Sequence, residues 1–269
     1  MRCSFIFIFL LLCVFLNGQG TASSGDTIFN QTDKQGLKQG FWKVKYPNGA
    51  IKYTVYYKNN KPLGVMKRYF DDNTLMAELV FSLNTAKIKA KLYFQGGPLA
   101  AEGIYSQKDV KDSIWNYYSF YTKNLTSREN YINGKKEGIS YAYFSDGKVA
   151  EERSWKKGLS DGIWKQYFEN GTNKFSTFFI GGKCEGVFIL NYPDNRVELT
   201  GMYKDDKREG KWIHYNVEGK EDSIIEYKDG VALNAAELET KEQKLLEEID
   251  KQKGKIPEPD ETNIMPGSR

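Results

Sequence analysis

Bulky and polar residues alternate along this chain for about eight positions, stop at a turn-forming pair, alternate again, stop again, and then the whole pattern starts over. With Gly40 as the reference position, the same place recurs at Gly64, Ile88, Ser113, Gly138, Gly162, Gly186 and Gly210, in steps of 24 residues except for two of 25. Two residues past it stand Trp42, Trp115, Trp164 and Trp212, and six past it Tyr46, Phe70, Phe94, Phe144, Phe168 and Tyr192. Even spacing between large residues is the period of a strand, whose successive side chains point to opposite faces. Self-similarity at a fixed period marks an array of supersecondary units that bury their surface against one another.

Eight and nine positions past the reference come Asn48-Gly49, Asp72-Asn73, Asp146-Gly147, Asn170-Gly171 and Asp194-Asn195. Such pairs suit the positive φ angles of two-residue hairpin turns, so each unit is expected to fold back on itself. The return strand carries a large residue at Tyr57, Phe81, Tyr105, Trp155, Phe179, Tyr203 or Tyr227. A second turn, such as Asn59-Asn60, Asn133-Gly134 or Asp205-Asp206, then hands the chain to the next unit. The pattern predicts an all-β protein, an elongated single-layer antiparallel β-meander of about eight 24-residue hairpin repeats over residues 36–234, with a C-terminal amphipathic helix. The unit at Ser113 is the weakest, because its turn near Tyr121-Thr122 lacks the usual residues.

The stretch Gly162-Ile163-Trp164-Lys165-Gln166-Tyr167-Phe168-Glu169-Asn170-Gly171, and Gly40 to Gly49 beside it, resembles the MORN repeat in the variant found in bacterial proteins often labelled YwqK-type antitoxins. The resemblance runs from about Gly36 to Gly230. It implies a binding or scaffolding surface built from stacked hairpins, while the antitoxin label carries no mechanism.

The two ends differ from the array. Residues 1–20 read as a secretory signal peptide, with Arg2 followed by the apolar run Phe5 to Leu16 and small residues at Gly18, Gly20 and Ala22. A lipid anchor at Cys13 is the alternative, although Leu11 and Leu12 stand where that signal has small residues. Residues 21–35 form a lead-in. Over 235–253 the turn residues vanish, and Leu238, Leu245, Leu246 and Ile249 fall at helical spacing, which suits either a cap on the last strand edge or a docking helix. Residues 254–269, rich in proline and acids, read as a flexible tail.

Charge narrows the partners. The full chain carries 39 Lys and Arg against 35 Asp and Glu. Six bases and nine acids lie from Glu237 onward, which leaves the repeats with a modest positive excess. No groove-reading motif accompanies it, so nucleic acid is not expected as a partner. More telling is the placement of Lys43, Lys67, Lys91 and Lys165 at odd offsets, with Tyr69, Tyr93, Tyr118, Tyr143, Tyr167 and Tyr215 two residues beyond that offset. In a regular sheet these form a Tyr/Lys ladder on one face. The ladder suits a shield that keeps water off the sheet. It equally suits a contact surface for protein or for an anionic lipid or glycan.

Catalytic chemistry finds little support. The single histidine, His214, has no cysteine near it, and with Cys3 and Cys13 in the leader only Cys184 remains in the exported chain, leaving that thiol buried or open to an intermolecular bridge. Acids cluster in turns, where they serve the backbone, although a pair facing across a cleft is a conceivable glycosidase site. The expectation is a protein without enzymatic activity, cofactor or metal. It is expected in the periplasm or on the periplasmic face of the outer membrane, as a binding scaffold for an envelope protein complex such as a secretion translocon. Lipid or glycan binding and an immunity role are the alternatives.

Overall fold

The computed structural model describes residues 28–106 and 109–234, together with Lys244 and Glu247. The expected signal peptide and flexible tail lie outside the described residues, as does most of the C-terminal helix. Within that helix, Lys244 and Glu247 are in helical conformation and exposed.

The described chain is one open sheet of 19 antiparallel strands. Eight hairpins follow one another: β2 (Lys38–Lys45) with β3 (Ile51–Lys58), β4 (Lys61–Tyr69) with β5 (Leu75–Ser82), β6 (Thr85–Tyr93) with β7 (Leu99–Tyr105), and β8 (Lys111–Tyr118) with β9 (Leu125–Ile132). The fifth opens with β10 (Lys135–Lys136) and β11 (Gly138–Tyr143) and returns in β12 (Val149–Lys156). Then come β13 (Leu159–Tyr167) with β14 (Asn173–Ile180), β15 (Lys183–Asn191) with β16 (Val197–Lys204), and β17 (Lys207–Tyr215) with β18 (Glu221–Lys228). Each strand pairs with the next along the chain, β10 and β11 together forming the partner of β9, so the single-layer meander expected from the periodicity is what forms. The two outermost strands carry only the short segments β1 (Gln31–Thr32) and β19 (Val231–Ala232) beside them, which blunt the open edges.

The two kinds of turn differ in backbone. Between most units both central residues are left-handed, as at Asn59 and Asn60 (φ 51° and 63°) or Asp205 and Asp206 (49° and 66°), the two-residue type I′ geometry, whereas Leu83 and Asn84 are not left-handed and β7 and β8 are joined by a longer link. Inside units the expectation of the same turn is corrected. In most of them only the second residue of the pair has a positive φ, as at Gly49 (87°) and Asn73 (65°), while in the third unit it is the first, Gly96 (59°). Gly49 N–H donates to Tyr46 O at 2.9 Å and Tyr46 N–H to Ala50 O at 2.8 Å, the type I turn closed by a left-handed bulge residue. At the Ser113 unit the turn is longer, and Lys123 takes the left-handed position with φ 61°. Side chains clip successive turns together: Asn48 Nδ2 donates to Asp71 O at 2.9 Å, and Asn170 Nδ2 to Pro193 O at 2.8 Å.

A bulge at the start of each unit decides what the even face looks like. Between β3 and β4 the pairs Thr54↔Lys67 and Tyr56↔Leu63 leave Gly64, Val65 and Met66 opposite Val55 alone. The same shift sets Ser113, Ile114 and Trp115 opposite Gly103, and Gly210, Lys211 and Trp212 opposite Gly201. The indoles therefore lie flat across a strand, and a Cβ added at Gly103 would sit 2.4 Å from the Trp115 ring, one at Gly201 2.3 Å from Trp212. Those two tryptophans are the largest fully buried side chains. Aromatic neighbours continue the row, with Phe188 stacked on Trp212 at 5.5 Å and Tyr203 edge-on to it at 5.0 Å. Cations close it from above: Lys38 over Trp42, Lys111 over Trp115, and Arg208 over Trp212 at 4.3 Å.

Around Trp115 this face also carries a polar cluster. Lys111 donates to Tyr117, Tyr131 to Glu129, and Lys136 to Glu129. Burial pushes the Glu129 carboxyl up, but the Lys136 ammonium and the Tyr131 hydroxyl outweigh it and hold its pKa below the ordinary 4.5. Burial first, then the bond to Glu129, pushes the Tyr131 hydroxyl up to about 12.

Two outcomes follow for stability. Gly103→Ala and Gly201→Ala, read by denaturant unfolding, should each cost about 1–3 kcal/mol, because the indole must leave the strand it covers. Glu129→Gln should cost about 1–2 kcal/mol at neutral pH. A depressed carboxylate stabilises the fold above its unfolded-state pKa, so the gap between wild type and variant should close as the pH falls below 4.5 through the lower folded value, in melting curves taken across that range.

Candidate functional site

The odd-numbered offsets face the other side of the sheet, and the structure arranges them in rows that run across the strands. Nearest the inter-unit turns, the first and sixteenth positions past each reference pair directly: Phe41 with Tyr56, Val65 with Val80, Ile163 with Phe178, and Val187 with Met202. Ile104, Ile114 and Ile139 continue the row through the middle units, opposite Lys89, Asn130 and Ser154. These side chains remain open to solvent, with Phe41 53% exposed, Val65 49%, Ile163 47% and Met202 52%. Single exposed aliphatics are ordinary on a protein surface, whereas here they recur at one place in seven consecutive hairpins, interrupted by Lys89, Asn130 and Ser154 in the middle units.

Beside it lie the residues singled out from the sequence. Lys67 Nζ is 3.4 Å from Glu78, Lys91 stands between Glu78 and Glu102 in register, and Lys165 is opposite Glu152 and Ser176. Lys43 stands apart, with its ammonium 4.2 Å from the Phe29 ring centre. The tyrosines reach back one unit: Tyr93 donates to Glu78 at 3.1 Å and Tyr118 to Glu102 at 2.6 Å. Burial and that bond push the Tyr118 hydroxyl up to about 12, and burial together with Glu152 raises Tyr167. Tyr143 stacks on Tyr141 with ring centres 6.3 Å apart. Tyr69 and Tyr215 are held through their carbonyls, which accept the hydroxyls of Tyr46 and Tyr192 at 2.9 Å each. The Tyr/Lys ladder is thus a Tyr/Lys/Glu ladder. Lys67, Lys91 and Lys165 with Tyr93, Tyr118 and Tyr167 gather around Glu78, Glu102 and Glu152, while Lys43, Tyr69, Tyr143 and Tyr215 lie outside those clusters.

Sequence reading passed over both the glutamates and the aliphatic row. Each had a signal, since Glu78, Glu102 and Glu152 recur at one offset on the return strand and Phe41, Val65, Ile114, Ile139, Ile163 and Val187 at one offset on the outgoing strand.

Where the two rows meet in the second to fourth units, the face forms an open trough of about 730 Å³. Val65, Val80, Ile104 and Ile114 line it, with Lys67, Lys89, Lys91 and Arg128 against Glu78 and Glu102 along its sides. Chemically this is an apolar strip with a cationic surplus. Among the described residues no three His, Cys, Asp or Glu side chains come together as a metal site. His214 lies in β17, half-exposed, with Nδ1 3.1 Å from Asp222 Oδ2. Cys184 is a half-buried free thiol 3.2 Å from the Thr177 hydroxyl, and burial raises its pKa and keeps it protonated.

No curated protein matches the chain in sequence. A family model described as the MORN repeat variant matches residues 38–59, 136–157 and 160–174. These stretches fall on the first hairpin, on most of the fifth, and on the outgoing strand and turn of the sixth. The hairpins at those three places are MORN-variant repeats, and the chain is in that respect a MORN-repeat protein.

Proposed function

We propose that this protein is a non-enzymatic binding scaffold of the cell envelope, whose ladder face docks an envelope protein. A periplasmic subunit or plug of an outer-membrane complex such as a secretion translocon is the role this reading assigns. The observation that carries it is the aliphatic row where it lines the trough in the second to fourth units, with Val65, Val80 and Ile114 exposed. The opposite face has used its aromatic residues on its own glycines and cations. The ladder face keeps its apolar groups available, and tyrosines already fixed by hydrogen bonds supply contact area at little entropic cost. Export is supported by the apolar leader of the sequence alone.

A second reading rests on the trough. Four cationic side chains against two carboxylates around an aliphatic floor suit an anionic amphiphile, such as a lipid or acidic glycolipid. Liposome flotation with anionic vesicles separates the two.

Val65→Lys and Ile114→Lys replace exposed row residues and should change stability by about 1 kcal/mol or less. In pulldowns of the tagged mature chain from crosslinked envelopes, each should bring recovery of a stoichiometric partner down to background. Recovery of no specific partner, or of the same partner at undiminished yield by both variants, would sink the proposal.

A further inference from the structure

The aliphatic row changes course at its C-terminal end. In the eighth unit its usual place is taken by Lys211 opposite Glu226, and the apolar pair moves one step along the strand to Ile213 opposite Ile224. In the seventh unit both places are occupied, by Val187 with Met202 and by Ile189 with Thr200. Earlier units hold Lys67 with Glu78 and Lys91 with Glu102 where Ile189 and Ile213 stand. The exposed apolar strip therefore bends toward Ile224. That is also where the continuous described stretch ends: Asn234 Nδ2 donates to Ile224 O at 3.0 Å, and Asn234 Oδ1 accepts from Glu226 N–H at 3.3 Å.

We infer that residues 235–253 pack as a helix across this bend, covering the strip from Ile224 back to Ile163. Chain length permits it. Nineteen helical residues span about 28 Å, and the five strand spacings from β18 to β13 come to about 24 Å. In a helix at 100° per residue, Leu238, Leu245 and Ile249 share one side, with Leu246 at its margin. Lys244 and Glu247, the two residues of this segment that are described, fall on the other side, and both are helical and exposed. The segment thus covers the sheet's face and leaves the outer strand to β19. It also divides the aliphatic row, so that the trough in units two to four stays open to a partner while the last three units are covered from within the chain.

The test uses the full mature chain with a photocrosslinking amino acid at Met202, and at Val65 as the control. Irradiation and peptide mapping should give an intrachain link from position 202 to residues 235–253 and none from position 65. The triple variant Leu245→Glu, Leu246→Glu, Ile249→Glu should lower that yield about tenfold, with the unfolding transition of the sheet still present. A link from position 202 to a second copy or to a copurifying protein would overturn the inference, as would links only to other parts of the chain, no link, or a yield the triple variant leaves unchanged. Partner recovery by the Val65→Lys variant reads the other end of the row, so the docking proposal and this one fail separately.

Discussion

A sheet one layer thick has no second layer to bury its side chains, so it must dry its own surface with what its strands carry. In this protein that is done by laying an aromatic ring flat across the neighbouring strand. The bulge at the start of a unit sets three residues against one, and the third reaches back over the preceding return strand. Where that strand offers glycine, as at Gly103 and Gly201, the indole settles onto backbone and disappears from solvent. The cations above the rings complete a thin second layer made of side chains alone.

Because the even face is closed in this way, the odd face is left as the side on which apolar groups stay exposed. Its order comes from ion pairs such as Lys67 with Glu78 inside a hairpin and from tyrosine hydroxyls that reach one unit back, which tie the third hairpin to the second and the fourth to the third. The rows are therefore fixed relative to one another along the array. A partner meets a prearranged strip with little side-chain entropy left to lose.

Much of this was legible in the sequence, and the parts that were not share a cause. Strand alternation, the count of hairpins and the inter-unit turns follow from residue types, since Asn59-Asn60 and Asp205-Asp206 report their own backbone conformation. The turns within units did not, because Asn-Gly serves a type I′ turn and a type I turn with a bulge equally well, and the pairing of Tyr46 with Ala50 decides between them. The face of Lys67 and Tyr93 was legible, while their shared partner Glu78 was not. It lies on another strand, and only the register between units brings all three together. Trp115 and Trp212 were legible as large residues recurring at one place on the strand, but their resting place on glycine depends on a bulge that period-two counting cannot show.

The two-residue turns that join all the units except the third and fourth have a further consequence. Each leaves no slack between one hairpin and the next, so gaining or losing a repeat moves everything beyond it by two strand spacings, about 9.6 Å, and keeps every row in phase. Such a molecule is a ruler with a fixed gradation. Relatives with different numbers of hairpins would present the same strip at different lengths, and would sort their binding partners by span with no change in the chemistry of any single rung.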